Sequence, residues 1–396
     1  MAGLSAFSIA RLPRIAFGAG VRSTVGACAA GYGRRALLVT GGTSLRAGPF
    51  WAELEQAFAT AEVAVEQVQI ADEPSPDQID AAVRAYQGAD IDVVVAIGGG
   101  SALDAGKAIA GLLRPGHSVL DHLEGVGPER PYQGPALPFV ALPTTAGTGS
   151  EATKNAVLSQ RGEEGYKKSF RDEALVARDA LVDPDFLQTC PRSVLAANGM
   201  DALTQLLESF VSTRSNPFCA ALALDGLKQA REALVPLYED PTDAEARAGM
   251  AYASLLSGVC LAQTGLGSVH GLASPLGAFF PIPHGMACGT LVAKATEINL
   301  SALRAREPEN PALEAYATVG RLFAGDQGLS RHAAWDALLE QLWRWTEDLQ
   351  LERLSAWGVT QADHARIVAN SRGSSMKTNP IVLRDEEIAA ILAVRQ

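Results

Sequence analysis

The hydrophobic positions change their rhythm about halfway along the chain. In the first half, short β-branched or apolar runs recur at Arg14 to Phe17, Ala36 to Thr40, Val63 to Ile70 and Asp92 to Ile97. Stretches with helical spacing lie between them, at Pro49 to Ala59 and Pro76 to Tyr86; the second opens with Ser75 as cap and Pro76 at the first helical position. Strands alternating with helices predict βαβ units and a parallel sheet. Further strands are expected at Pro138 to Leu142, Asn155 to Leu158 and Ala174 to Val182, with Arg161 to Tyr166 as an exposed turn. After Pro191 the pattern becomes long, apolar-periodic and rich in Ala and Leu, as in Val194 to Val211, Ala220 to Leu234 and Ala244 to Leu261. The expected architecture is an α/β, Rossmann-like parallel-sheet domain over residues 1–188 and an all-α helical domain over 189–396. A chain of 396 residues is long enough for two such domains sharing a cleft.

Composition narrows the function classes. With 47% hydrophobic and 19% charged residues the chain has the profile of a compact folded protein. A net charge of −11 argues against a nucleic-acid surface, which draws its affinity from Lys and Arg. An anionic ligand therefore needs local backbone dipoles. No run of apolar residues is long enough to span a membrane, and Met1-Ala2-Gly3-Leu4-Ser5 lacks the charged and apolar regions of a secretory signal, so a cytoplasmic protein with no membrane partner is expected. Cys28, Cys190, Cys219, Cys260 and Cys288 are scattered and odd in number, and read as buried apolar thiols rather than as a disulfide or zinc framework.

The strongest chemical signal is a turn. The strand run Asp92 to Ile97 leads into Gly98-Gly99-Gly100-Ser101 and then a helical stretch holding Asp104 and Lys107. Glycines let the backbone approach a ligand without Cβ obstruction, and a helix N-terminus offers unpaired N–H groups and a positive dipole end to a pyrophosphate. The spacing is neither G-x-G-x-x-G nor G-x-x-x-x-G-K-[ST]. A second cluster, Pro143-Thr144-Thr145-Ala146-Gly147-Thr148-Gly149-Ser150-Glu151, follows another strand run and offers hydroxyls to phosphate, ribose or a nicotinamide amide. Two such loops at carboxyl ends of strands favour a nucleotide site over two ordinary turns. After the strand Ala36 to Thr40 comes Gly41-Gly42-Thr43-Ser44-Leu45-Arg46, without the carboxylate that would repel a ribose 2′-phosphate; NAD(P)(H) is expected, with NADP(H) slightly favoured.

These stretches, together with Val182-Asp183-Pro184, Asn198 to Thr204, Val269-His270-Gly271, Pro283-His284-Gly285 and Asn379-Pro380, resemble the iron-containing (group III) alcohol dehydrogenases in order and over nearly the whole chain. That family includes metal-free maleylacetate reductases and is related to glycerol dehydrogenase and dehydroquinate synthase. The resemblance implies the dehydroquinate synthase-like architecture, with cofactor in the first domain and substrate and metal in the second. It implies hydride transfer at the cleft between an NAD(P) cofactor and a small alcohol, aldehyde or ketone, and a homodimer is expected. By motif, Asp201, His270 and His284 match three of the family's four metal ligands, an Asp and three His. Four residues after Asp201, where the family has the remaining His, this chain has Gln205; four residues after His270, where many members carry a further His, it has Ser274.

Asp201, His270 and His284, with Gln205 as a weak fourth donor, make a metal site for iron or zinc conceivable without requiring it. With a metal, the substrate oxygen is polarised by a Lewis acid; without one, His270 or His284 serves as hydrogen-bond donor and general acid, as in a metal-independent maleylacetate reductase-like enzyme. Lys167 is a third catalytic candidate, matching by position a lysine the family often carries near the cofactor, with Lys168 next to it. Leu272, Leu276, Phe279 and Phe280 hint at an apolar carbonyl substrate. Two other readings stand beside these: a dehydroquinate synthase-like lyase, disfavoured by the lack of a basic cluster around the histidines, and a nucleotide-binding protein without turnover, motivated by Gln205 and Ser274.

Overall fold

The computed structural model describes residues 6–395; the Met1–Ser5 start lies outside the described residues. The chain divides into two compact units, one comprising Ala10–Gln160 with Gly165–Cys190, the other running from Pro191 onward and including the Arg161–Glu164 turn.

The first unit is built on a parallel sheet. Its elements in chain order are β1 (Arg14–Phe17), α1 (Val25–Ala30), β2 (Arg35–Thr40), α2 (Ser44–Ala47), α3 (Trp51–Thr60), β3 (Ala64–Gln69), α4 (Pro76–Tyr86), β4 (Val93–Gly98), α5 (Gly100–Leu112), β5 (Phe139–Pro143), β6 (Asn155–Gln160), β7 (Tyr166–Arg171) and β8 (Asp179–Val182). Six strands pair in the order β1-β8-β5-β4-β2-β3, every neighbour parallel. Side chains alternate between two cores. Leu37, Val39, Val94, Ala96 and Ala141 pack with Ile79 of α4 and Leu103 of α5, whereas Ala36, Leu38, Val93, Val95 and Val140 pack with Val25 of α1 and Leu54 and Phe58 of α3. Burial on both faces explains why β4 reads as an unbroken apolar run.

The strand order reverses beside β4. From β2 the chain winds outward to β3, then returns across β2 to β4 and continues to β5 on the other side. In open α/β sheets the crevice at such a reversal, beyond the carboxyl ends of the strands, is where ligands bind. Here the turns after β2 and β4 flank it.

Two expectations change. The Ala174 to Val182 run is not one strand: Asp172 accepts from the Ala174 amide at 2.8 Å and starts a short 3₁₀ turn at Glu173–Leu175, so pairing begins only at Asp179. A hairpin arm not expected from the sequence, β7, pairs antiparallel with β6; its Tyr-Lys-Lys-Ser-Phe-Arg composition hid a strand with only Ser169 and Phe170 buried.

The second unit is helical: α6 (Arg192–Val211), α7 (Pro217–Glu239), α8 (Ala244–Thr264), α9 (Ser268–Phe279), α10 (His284–Arg306), α11 (Ala312–Ala324), α12 (Arg331–Asp348), α13 (His364–Asn370) and α14 (Asp385–Ala393). Helix α6 packs against α7, α8 and α10 and is buried along most of its length, as a helix that is apolar on all sides should be. Glycines set how closely α10 approaches it. A Cβ on Gly285 would lie 2.5 Å from the Ala197 carbonyl oxygen, and one on Gly289 would lie 2.8 Å from the Met200 Cβ. Small residues at these positions allow the first turns of α10 to lie directly on α6. No helix among the described residues is long and apolar enough to cross a membrane.

Candidate active site

In the first unit the candidate cofactor site is made chiefly of backbone. Strand β4 ends at Gly98 and α5 begins at Gly100, with Gly99 as its cap and no side chain capping the first turn. The first N–H groups of α5 and its positive dipole end are thereby left for an anion. The glycines also serve packing: a Cβ on Gly98 would meet the Ala102 Cβ at 2.6 Å and the Gly41 amide at 3.3 Å, and one on Gly100 would meet the Thr148 side chain at 2.8 Å. Gly41–Ser44, Gly98–Ser101 and Thr144–Ser150 are thus adjoining loops at the carboxyl ends of β2, β4 and β5. Gly41 and Gly42 face open space, and the Thr43 and Ser44 side chains are exposed. Among the described residues this is the arrangement expected of a dinucleotide site.

Two candidates from these loops are held by each other. The Ser150 hydroxyl donates to Asp104 at 2.5 Å, and the other Asp104 oxygen accepts from the Val157 amide at 3.1 Å. Lys107, fully buried, pairs with Asp104 at 3.0 Å and donates to the Thr153 hydroxyl and the Asn155 carbonyl. Asp104 therefore ties α5 to the second loop and to β6. Burial pushes the nearby Glu151 carboxyl up to about 7. Lys167, on β7, forms a 2.6 Å ion pair with Glu73.

In the second unit the site is made of side chains. Asp201 on α6, His270 on α9, and His284 and Cys288 on α10 bring four ligand atoms within 4.8 Å of one another. Asp201 Oδ1 lies 3.2 Å from His270 Nε2 and 3.9 Å from His284 Nε2, and Cys288 Sγ lies 3.6 and 3.8 Å from the same two nitrogens. Only His284 is partly exposed.

The N-terminus of α9 fixes His270. Gly267 caps this helix, and a Cβ there would lie 2.8 Å from Glu208 Oε1 and 2.9 Å from Asn379 Oδ1. The missing side chain lets Glu208 accept from the Val269 amide at 2.7 Å and Asn379 accept from the Ser268 amide at 3.0 Å, so two orphan donors of the helix are satisfied by side chains. The second Glu208 oxygen accepts the His270 Nδ1 proton at 2.7 Å. With that proton on Nδ1, a neutral ring would set its Nε2 lone pair against an Asp201 oxygen. A cation resolves the conflict, either a second proton on the ring or a metal ion held by Nε2 and the carboxylate.

The electrostatics follow from this arrangement. Burial opposes charge on His270, but Cys288, Asp201 and Glu208 outweigh it and hold its pKa well above the ordinary imidazole range. Burial likewise works against the Asp201 carboxylate, but His284 and His270 outweigh it and keep its pKa below the usual value. Burial pushes the Cys288 thiol up to about 12. Asp201 Oδ2 is buried and has no hydrogen-bond partner among the described residues. A buried carboxylate oxygen without a partner beside two imidazoles fits a divalent cation.

The Gln205 carbonyl oxygen accepts from the Ser257 hydroxyl at 2.8 Å. Ser274 lies one turn beyond His270 on α9. Sequence reasoning missed Glu208 and treated Cys288 as packing. The signal for Cys288 was its place four residues after His284, on the same face of one helix. Leu272 and Leu276 are wholly buried core residues, and the Phe279 ring lies under the Arg366 guanidinium at 3.8 Å.

Residues 13–184 match the model for iron-containing alcohol dehydrogenase, and residues 195–395 match the model for the C-terminal part of the Fe-containing alcohol dehydrogenase family. The chain belongs to the iron-containing alcohol dehydrogenase family. Within this family it is 31% identical to 1,3-propanediol dehydrogenase of Klebsiella pneumoniae over 383 residues, 95% of each chain. It is 38% identical to alcohol dehydrogenase 4 of Saccharomyces cerevisiae over 237 residues, 59% of this chain; the match spans 61% of the yeast protein. Among solved structures it is similar to sulfoacetaldehyde reductase of Bifidobacterium kashiwanohense in complex with NAD+, with a TM-score of 0.84, 26% identity and 99% coverage of both chains. The α/β-plus-helical architecture expected from the sequence is that of this family.

Proposed function

We propose that this member of the iron-containing alcohol dehydrogenase family catalyses hydride exchange between NAD(P)(H) and a small alcohol, aldehyde or ketone. The observation that carries the reading is the Asp201, His270, His284 cluster, with His270 Nδ1 tied to Glu208 and a buried Asp201 oxygen that has no partner among the described residues. The chemistry supplied by the bound groups is hydride exchange at the nicotinamide and Lewis-acid polarisation of the substrate oxygen by a divalent ion. Gly98–Ser101 cradle the pyrophosphate with α5 N–H groups, and Thr144, Thr145 and Thr148 offer hydroxyls to the rest of the cofactor. Glu208 holds the His270 proton at Nδ1 and so keeps Nε2 directed at the substrate-activating centre. Asp201, His270 and His284 would hold the ion, which would supply the Lewis-acid polarisation of the substrate oxygen.

The absence of a carboxylate in Gly41–Ser44 and the exposed hydroxyls of Thr43 and Ser44 favour NADP(H) over NAD(H). The test is elemental analysis of gently purified protein, paired with NADPH and NADH oxidation assays on an aldehyde panel before and after chelation. Chelation is expected to abolish turnover and Zn²⁺ or Fe²⁺ to restore it, with NADPH the better reductant. Full activity in metal-free protein would instead assign the acid role to His270 or His284, and NAD(P)H binding without turnover under any condition would sink the enzymatic reading.

A further inference from the structure

We propose that Cys288 is a metal ligand, so that the divalent ion of this chain is held by one carboxylate, two imidazoles and one thiolate, with a substrate oxygen entering only as a fifth ligand, and the site prefers zinc to iron. The inference rests on the reading of the Asp201 cluster as a metal site and specifies its chemistry.

Three observations carry it. The first is placement. His284 and Cys288 are four residues apart on α10 and so lie on one face, and Gly285 and Gly289 beside them bring that helix onto α6 next to Asp201. The second is distance. Tetrahedral coordination with bonds of about 2.0–2.1 Å to nitrogen or oxygen and about 2.3 Å to sulfur sets nitrogen and sulfur about 3.5 Å apart, and nitrogen and oxygen about 3.3 Å apart. Cys288 Sγ is 3.6 and 3.8 Å from the two His Nε2 atoms, and Asp201 Oδ1 is 3.2 and 3.9 Å from them. A thiol has one proton and cannot donate to both imidazoles, whereas a single ion accounts for all four spacings. The third is supply. Gln205, four residues after Asp201, is a neutral amide whose oxygen already accepts from the Ser257 hydroxyl, a weaker donor to a divalent ion than a thiolate from α10.

On binding, the ion takes the place of the thiol proton, which leaves to solvent, and the Sγ–metal bond forms without any change of oxidation state. A thiolate in the donor set favours zinc over a harder iron(II) ion.

The probe is Co²⁺ alone, added to the full-length protein after metal removal, with absorbance and bound-ion stoichiometry as readouts. One Co²⁺ per chain is expected, with intense visible ligand-field bands and a near-ultraviolet thiolate-to-cobalt charge-transfer band. Cys288→Ser is expected to abolish the charge-transfer band and to weaken Zn²⁺ binding in a chelator competition by about 100-fold or more, beyond the 10–100-fold typical of residues that only support a ligand. A wild-type protein that binds one Co²⁺ but shows no charge-transfer band overturns Cys288 as ligand while leaving the metal reading intact. A band that persists in Cys288→Ser overturns it equally. Failure to bind Co²⁺ at all overturns both readings together. If Cys288→Ser does not fold, the wild-type spectrum still decides.

Discussion

The turn after β4 and the cluster on α6, α9 and α10 are both proposed to hold charged groups, yet they are made of different material. The turn uses main-chain N–H groups from one contiguous segment, and its side chains are mostly hydrogen atoms. The cluster uses side chains from three helices, positions 201 to 288, each held by other groups: Glu208 behind His270, Gly285 and Gly289 beneath α10, Gly267 and Asn379 at the start of α9. A backbone site is sensitive to the addition of atoms. A side-chain site is sensitive to their removal or to a misplaced proton. Substitutions that do one or the other should separate the two, provided each is read out on both functions.

The largest effect is expected from Asp201→Asn, which keeps volume and removes the carboxylate charge. Loss of one metal donor at the oxygen-activating centre should lower kcat/KM on the order of 10³-fold, about 4 kcal/mol of transition-state stabilisation. NADPH affinity, followed by fluorescence titration, should be unchanged, because the glycine turn and Asp201 belong to different units of the chain. Turnover that survives in Asp201→Asn would remove the cluster from the chemistry, and a parallel loss of NADPH binding would mean the two sites are not separable.

The same difference in material explains what could be read from the sequence. The parallel sheet was legible because β2, β4 and β5 are buried on both faces and so carry unbroken apolar runs. The glycine turn between β4 and α5 was legible because its parts are consecutive. Strand β7 escaped because its pairing with β6 is set by a hairpin rather than by burial. Asp201, His270 and His284 were found through resemblance, not spacing, since separations of 69 and 14 residues carry no geometric signal. Glu208 was invisible because its role, receiving the His270 proton and the Val269 amide, exists only once α6 and α9 are packed. Gln205 and Ser274 announced a departure from the family, but only the folded chain shows Cys288 brought beside Asp201, His270 and His284.

Glu208→Gln sharpens the side-chain half of the comparison at the level of a single proton. The amide can still accept from the Val269 N–H, but it presents an NH₂ or a weaker acceptor to His270 Nδ1. The proton then shifts toward Nε2, the atom that faces Asp201. Metal affinity should fall about 10–100-fold, measured by Zn²⁺ competition with a chromophoric chelator. Unchanged Zn²⁺ affinity would show that Glu208 only caps α9.

The smallest effect is expected at the backbone site, from Gly100→Ala. Alanine at the first turn of α5 gains helix propensity of about 1 kcal/mol, whereas its Cβ would lie 2.8 Å from the Thr148 side chain, an overpacking that costs about 1–3 kcal/mol. The two nearly offset each other in stability, so the thermal midpoint should move little. The displaced Thr148 loop should weaken NADPH binding about tenfold, with Co²⁺ binding at the cluster unaffected. Adding Thr148→Ala distinguishes the two uses of the glycine. If the missing Cβ serves the fit of one loop against the other, removing the Thr148 γ atoms makes room and the double variant binds NADPH nearly as well as Thr148→Ala alone, a favourable coupling between residues in contact. If the Cβ obstructs the pyrophosphate itself, no change at Thr148 relieves it and the two losses add. The geometry around Gly100 favours the first outcome, because its missing side chain points at Thr148.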